Sequence, residues 1–223
     1  MFSEITRILM LSLALMFAGR LSAQQNKTVY LPENTAFTEE QTGVVFPAVI
    51  GSYTKSEVRK NPNPVIGTLI RFAGNRGGCT ADVFVYTLSE NPQKISPEDL
   101  RKHYGEVEKQ IRNLPEKSEQ TEAVENTGES EWVHDGQLRA LHGVWQFRLA
   151  GESFQSEILL FPRGGYMVKL RITAPSESPD ALRDMRQFTE QLCGLFFKEK
   201  PAFKPVSSPQ EDGQPESEER KQL

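Results

Sequence analysis

The chain has 223 residues, with 26 lysines and arginines against 30 aspartates and glutamates and a formal net charge of −4. A length of this order fits one domain with flexible ends, and a mildly acidic balance argues against nucleic-acid binding by bulk charge. The two cysteines form no C-x-x-C, which argues against dithiol redox catalysis.

In chain order, the first segment is a targeting sequence. Ile8 to Ala18 is an apolar run broken only by Ser12, with Arg7 before it and Gly-Arg-Leu-Ser-Ala after it, ending at Ala23. Such a run before a small-residue site reads as a secretory signal over residues 1–23. It is shorter than the ~20 residues of a membrane span, although an uncleaved anchor is the competing reading. The expectation is a secreted or periplasmic protein that begins near Gln24 and keeps no integral membrane span. Residues 24–43 are polar and without period, and are expected to be flexible.

Residues 44–197 are well punctuated and read as a single domain. "FPAVIGSYTKSEVRK" carries an edge element into a strand over Tyr53–Lys60, and "NPNP" ends it. "VIGTLIRFAG" alternates with Ile66, Thr68, Ile70 and Phe72 on one face. "GNRGG" turns the chain into "TADVFVYTL", which is apolar on both faces and so is expected to be covered on both sides. "SPEDLRKHYGEVEKQIRNLP" is a helix: Ser96 is the N-cap, Pro97 takes the first position, and Asp99 completes a capping box. Leu100, Tyr104, Val107, Ile111 and Leu114 make its apolar stripe.

Strands follow in "LRALHGVWQFRL", "FQSEILLFP" and "YMVKLRITA", with "ESEWVHD" as one more. The last helix, "SPDALRDMRQFTEQLCGLFF", opens on Ser178 and Pro179 and buries Leu182, Met185, Phe188, Leu192, Leu195 and Phe196. The order is three strands, helix, three or four strands, helix. Its tight turns favour antiparallel pairing, so the expected fold is α+β: an antiparallel sheet of six to seven strands with two packed helices. Residues 198–223 hold four prolines and mixed charge, and are expected to form a disordered tail.

Few groups suggest chemistry. A phosphate loop needs glycines that open a helix with Gly-Lys-Ser/Thr, whereas "GNRGG" precedes a β-branched, aromatic run and reads as a hairpin turn. His103, His134 and His142 form no i, i+4 pair and no H-E-x-x-H. A metal site at His134 and His142 would need a third ligand, with Asp135 the nearest candidate, so they read as strand and turn histidines and no metal or cofactor is expected. There is no G-x-S-x-G. Cys79 and Cys193 allow two readings. One is a disulfide tying the last helix to the sheet, worth about 4–5 kcal/mol at best; the other is two buried free thiols. Arg148, Lys169 and Arg171 fall on the more polar positions of the hairpin strands, and Arg139 and Arg71 join them. They would form a basic stripe for a small anionic ligand or a protein partner, or else pair across strands with Glu157 and Asp82.

The element order, with "LRALHGVWQFRLAGESFQSEILLFPRGGYMVKLRIT" leading into a C-terminal helix, resembles the Mog1/PsbP-like fold and the small secreted bacterial domains that share it. The resemblance spans residues 44–197 and implies a binding or assembly role; it supplies no site residues. The functional expectation is a non-catalytic secreted or periplasmic binding or assembly module. The alternative is a cell-envelope hydrolase whose site has no sequence signature.

Overall fold

The computed structural model describes residues 28–29, 35–117 and 121–206. The expected signal over 1–23 and residues 207–223 of the expected tail lie outside the described residues.

Twelve strands and three helices are present among the described residues. They are β1 (Thr28–Val29), β2 (Phe37–Thr38), β3 (Val45–Phe46), β4 (Val49–Ile50), β5 (Tyr53–Lys60), β6 (Thr68–Gly74), β7 (Thr80–Tyr86), α1 (Pro97–Arg112), α2 (Leu114–Lys117), β8 (Thr121–His134), β9 (Gln137–Leu149), β10 (Glu152–Arg163), β11 (Tyr166–Pro175), α3 (Pro179–Phe196) and β12 (Lys204–Pro205). Ten strands form one antiparallel sheet in the order β1-β5-β6-β7-β11-β10-β9-β8-β12, with β4 also on β5, and β2 and β3 pair separately. After β7 the chain crosses through α1 to the far edge at β8, then meanders back until β11 pairs with β7.

The class is α+β and antiparallel, but the expected six to seven strands fall short. The additional pieces β1, β2, β3, β4 and β12 are two residues each, too short to carry a period-2 pattern. The first helix also stops sooner than its stripe suggests. Asn113 caps α1, and Leu114 starts the separate turn α2.

Local signals explain the long elements. Ser96 Oγ accepts from Asp99 N at 3.1 Å while Asp99 Oδ2 accepts from Ser96 N at 3.0 Å, so α1 begins with a full capping box. Ser178 Oγ caps α3 by accepting from Ala181 N at 3.3 Å. The β8–β9 hairpin turns on Asp135 and Gly136, both at positive φ (51° and 68°), the conformation that a two-residue hairpin loop requires.

The helices cover opposite faces. Met185, Phe188, Leu192 and Phe196 of α3 pack into a cluster with Tyr53, Phe72, Leu170 and Phe161. On the other face, Leu100 and Tyr104 of α1 meet Leu141, Leu160 and Met167, and Val107 meets Trp145 and Ile158. No helix among the described residues is long and apolar enough to cross a membrane.

Both flanks depart from the expected boundaries where they are described. In the segment expected to be flexible, Phe37 and Glu39 are buried. The Glu39 carboxylate accepts from Thr42 N at 2.8 Å and Thr42 Oγ1 at 2.9 Å, which fastens the β2–β3 turn. In the expected tail, β12 pairs with Ser130 and Glu131 of β8, and Phe203 packs against the α3-side core. A free strand edge and a single aromatic side chain suffice to order this stretch.

A candidate ligand cleft between the first helix and the outer sheet

Cross-strand partners share a sheet face, so register decides which polar groups meet. On β9, Gly143 lies opposite Glu129 of β8 and Ile158 of β10. It therefore sits beneath α1. A Cβ at this position would lie 2.2 Å from the Tyr104 hydroxyl and 3.1 Å from the Trp145 indole nitrogen. The missing side chain lets α1 approach the sheet and brings both polar atoms over one floor.

A cleft of about 210 Å³ opens beside this floor; its wall includes Arg101, Tyr104, Glu108, Glu129, Glu131 and Leu141. Tyr104 and Glu108 project from one face of α1, one turn apart. Glu129 and Glu131 lie two residues apart on β8, and Val206, just past β12, also lines the cleft. Two of the carboxylates are already paired: Glu131 with Arg101 at 2.9 Å and Glu108 with Arg112 at 2.6 Å. The Arg112 guanidinium also lies 5.2 Å from the centre of the Trp145 ring.

Glu129 forms no ion pair among the described residues; it accepts a hydrogen bond from Asn126. Burial pushes its carboxyl above the ordinary range, and the charge of Glu108 adds to the effect. Tyr104 is only 8% exposed, yet its hydroxyl has no hydrogen-bond partner among the described residues. Its proton is held more tightly than usual, first by burial and then by the fields of Glu129 and Glu108. Trp145, 1% exposed, likewise leaves Nε1 unpartnered. Buried polar atoms are rarely left so.

The expected basic stripe does not exist as a surface. Lys169 aligns with Leu160 and through it with Leu141, and Arg171 aligns with Ile158 and Gly143. Both lie on the α1 face. Arg148 is five residues beyond Gly143 with no intervening bulge in the β9–β10 register, so it points to the opposite face, where it is exposed and lies 3.6 Å from Glu122. Lys169 is buried, its ammonium 4.5 Å from the centre of the Phe84 ring, and desolvation pushes it down to about 7. Burial likewise brings Arg171 down to about 10, with Asp82 opposing. Arg71 grips Asp82 through two hydrogen bonds of 2.6 and 2.8 Å, and Arg139 lies on β9 with its Nε buried. Of the set only Arg148 is exposed, on the other face beside Glu122, so no stripe forms.

The cysteines are free and buried. Cys79 follows the "GNRGG" turn, whose Arg76 holds Asp184 of α3 at 3.0 Å. Cys193 is nine residues further along α3, about 13 Å at 1.5 Å per residue. Both thiols are unpaired among the described residues, as in the two-thiol reading. Burial raises both thiols, Cys193 to about 12.

The histidines stay apart. His103 Nε2 lies 2.6 Å from the Tyr86 hydroxyl, and His134 sits between Asp135 at 3.2 Å and Glu199 at 3.4 Å. His142 sits between Ser130 Oγ at 3.2 Å and Glu157 Oε2 at 3.3 Å, a Ser–His–Glu chain across three strands that sequence spacing did not disclose. Phe203 covers this histidine, with ring centroids 5.4 Å apart.

No protein-family model matches the sequence, and no curated protein matches it. Solved structures do. Cyanobacterial PsbP (CyanoP) from Synechocystis sp. PCC 6803 is 11% identical, with 78% of this chain and 96% of that chain covered and a TM-score of 0.48. The Saccharomyces cerevisiae Ran-binding protein Mog1p is 13% identical, with 78% and 100% covered and a TM-score of 0.40. The similarity to these Mog1 and PsbP structures is one of fold alone.

Proposed function

We propose that the chain is an exported, non-catalytic binding or assembly module that takes its ligand in the cleft between α1 and β8. The observation that carries this reading is the Tyr104 hydroxyl, more than nine-tenths buried and unpartnered among the described residues, beside the carboxylates of Glu108 and Glu129. At about 210 Å³ the cleft is smaller than most small-molecule pockets and suits a small ligand or a single inserted side chain. Export rests on the apolar run Ile8–Ala18; mass spectrometry of the extracytoplasmic fraction is expected to find an N-terminus near Gln24, and an intact Met1 in membranes would remove this part.

A second reading, an envelope hydrolase, draws on Ser130, His142 and Glu157. Against it, β8 is paired on both sides at Ser130 and Glu131, so its backbone donors belong to the ladder and do not converge on an oxyanion. Turnover of activated esters by the purified protein decides between the two readings. No Ser130-dependent turnover is expected; hydrolysis abolished by Ser130→Ala would overturn the non-catalytic reading.

A further inference from the structure

The chemistry of the cleft narrows what it can hold. Its lining offers acceptors of different strength: a carboxylate that takes a hydrogen bond from Asn126 and has no ion pair among the described residues (Glu129), a second carboxylate shared with Arg112 (Glu108), and the phenolic oxygen of Tyr104, while the nearby Trp145 N–H, unpartnered among the described residues, is a donor outside the lining. An anion entering here meets three glutamates, two of them already neutralised and one not. A neutral apolar group leaves the Tyr104 hydroxyl unpaired, which is the more costly outcome in a buried place. A guanidinium is planar and forked, and fits two coplanar acceptors. Here the acceptors come from three directions: α1 supplies two of them, one turn apart, and β8 supplies the third from across the cleft. A compact ammonium with three rotatable donors matches that arrangement. Leu141 and Val206, both in the lining, supply apolar surface for an alkyl stem.

We infer that the cleft binds a primary alkylammonium group, with its three N–H donors on the Glu129 carboxylate, the Glu108 carboxylate and the Tyr104 oxygen, and its alkyl stem between Leu141 and Val206. This rests on the proposed binding role and names the ligand chemistry for the same site. The ammonium can come from a free amine or from a lysine side chain of a partner protein. A bound cation also favours the ionised form of Glu129, which burial and Glu108 otherwise disfavour, so binding strengthens as pH rises through the carboxyl's titration.

The test is a titration of the full exported chain, followed by the indole N–H resonance of Trp145, with n-butylamine, 1-butanol, butyrate and a short peptide carrying one central lysine. A saturable shift with butylamine or the lysine peptide, and none with butanol, is expected. Stronger binding of the peptide assigns the site to a protein partner, and stronger binding of the free amine assigns it to a small ligand. Glu129→Gln is expected to weaken binding about tenfold or more, the loss of one charge-assisted hydrogen bond. Tyr104→Phe, which keeps the ring packing, is expected to weaken it several-fold; thermal melts of both variants check that the fold is retained. Saturable binding of butyrate in place of butylamine would overturn the ammonium assignment and leave the binding role standing. No response to any of the four probes, together with Ser130-dependent ester hydrolysis, would remove both. Amine binding that Glu129→Gln leaves unchanged would place the site elsewhere and overturn the assignment.

Discussion

Gly143 shows how one residue sets both fold and site. Glycine inside a strand ordinarily weakens it, and alanine would stabilise. Here the sign is reversed, because an added Cβ would meet the Tyr104 hydroxyl at 2.2 Å, and a buried ring end cannot yield without moving α1. Gly143→Ala is therefore expected to destabilise by about 1–3 kcal/mol, the usual cost of overpacking, as read by urea denaturation; a gain in stability would show that α1 can shift freely. In the sequence, the glycine interrupting "LHGVW" was the one available sign of a close approach, but it does not say what approaches. The cysteines make the second residue-scale case. Both lie buried in the same core cluster and are free among the described residues. Titration of the unfolded, unreduced chain is expected to give two thiols; none would mean that the bridged reading holds in solution.

At the scale of elements, helices were the most legible. Ser96, Pro97 and Asp99 mark the start of α1 by chemistry that acts within four residues, and Ser178 and Pro179 do the same for α3. The long strands were legible by alternation and by their turns. The short ones were not, because a two-residue bridge such as β12 is selected by the edge it finds rather than by its own pattern. That difference bears on the C-terminal stretch. Composition alone makes residues 198–223 look expendable, yet Phe203 packs on the core beside His142 and β12 covers part of the β8 edge. Deleting 198–223 is expected to lower stability by about 1 kcal/mol, the worth of one partly buried aromatic side chain, and to shift the resonances of Ser130, Glu131 and His142. A melting temperature unchanged by the deletion would show that the contact contributes nothing. Elsewhere β8 protects itself, with register shifts near Thr121, Asn126 and Trp132 and with Glu122 and Glu125 along its length.

At the scale of the whole molecule, the crossing from β7 through α1 to β8 creates the cleft. It brings Tyr104 and Glu108 over Glu129 and Gly143, which share no sequence motif, and no reading of spacing could have joined them. The same topology explains why the basic stripe failed. Strand alternation places Lys169 and Arg171 on one face but leaves open whether that face is exposed, and register sends Arg148 to the other. The resulting burial of Lys169 gives the molecule a pH signature. Its ammonium, ordinarily at 10.5, is held at about 7, chiefly by desolvation and then by Arg171, with Asp82 opposing. Below about pH 7 the lysine is charged in both the folded and unfolded states, and the full cost of burying that charge weighs on the fold. Between about pH 7 and 10 the unfolded chain keeps a proton that the folded chain has released, so stability rises with pH. The thiols act in the opposite sense higher up. Cys193 ionises near 9 when unfolded but only at about 12 when folded, and Cys79 is raised in the same direction, so stability falls again above about pH 9. Melting temperature is therefore expected to climb between pH 7 and 8.5. Lys169→Met is expected to abolish that climb while leaving stability at pH 7 equal or higher, since apolar replacement of a buried charge is often neutral or favourable. A flat profile in the wild-type chain, or a large loss of stability in Lys169→Met, would show that the buried ammonium is held by contacts worth more than its desolvation costs.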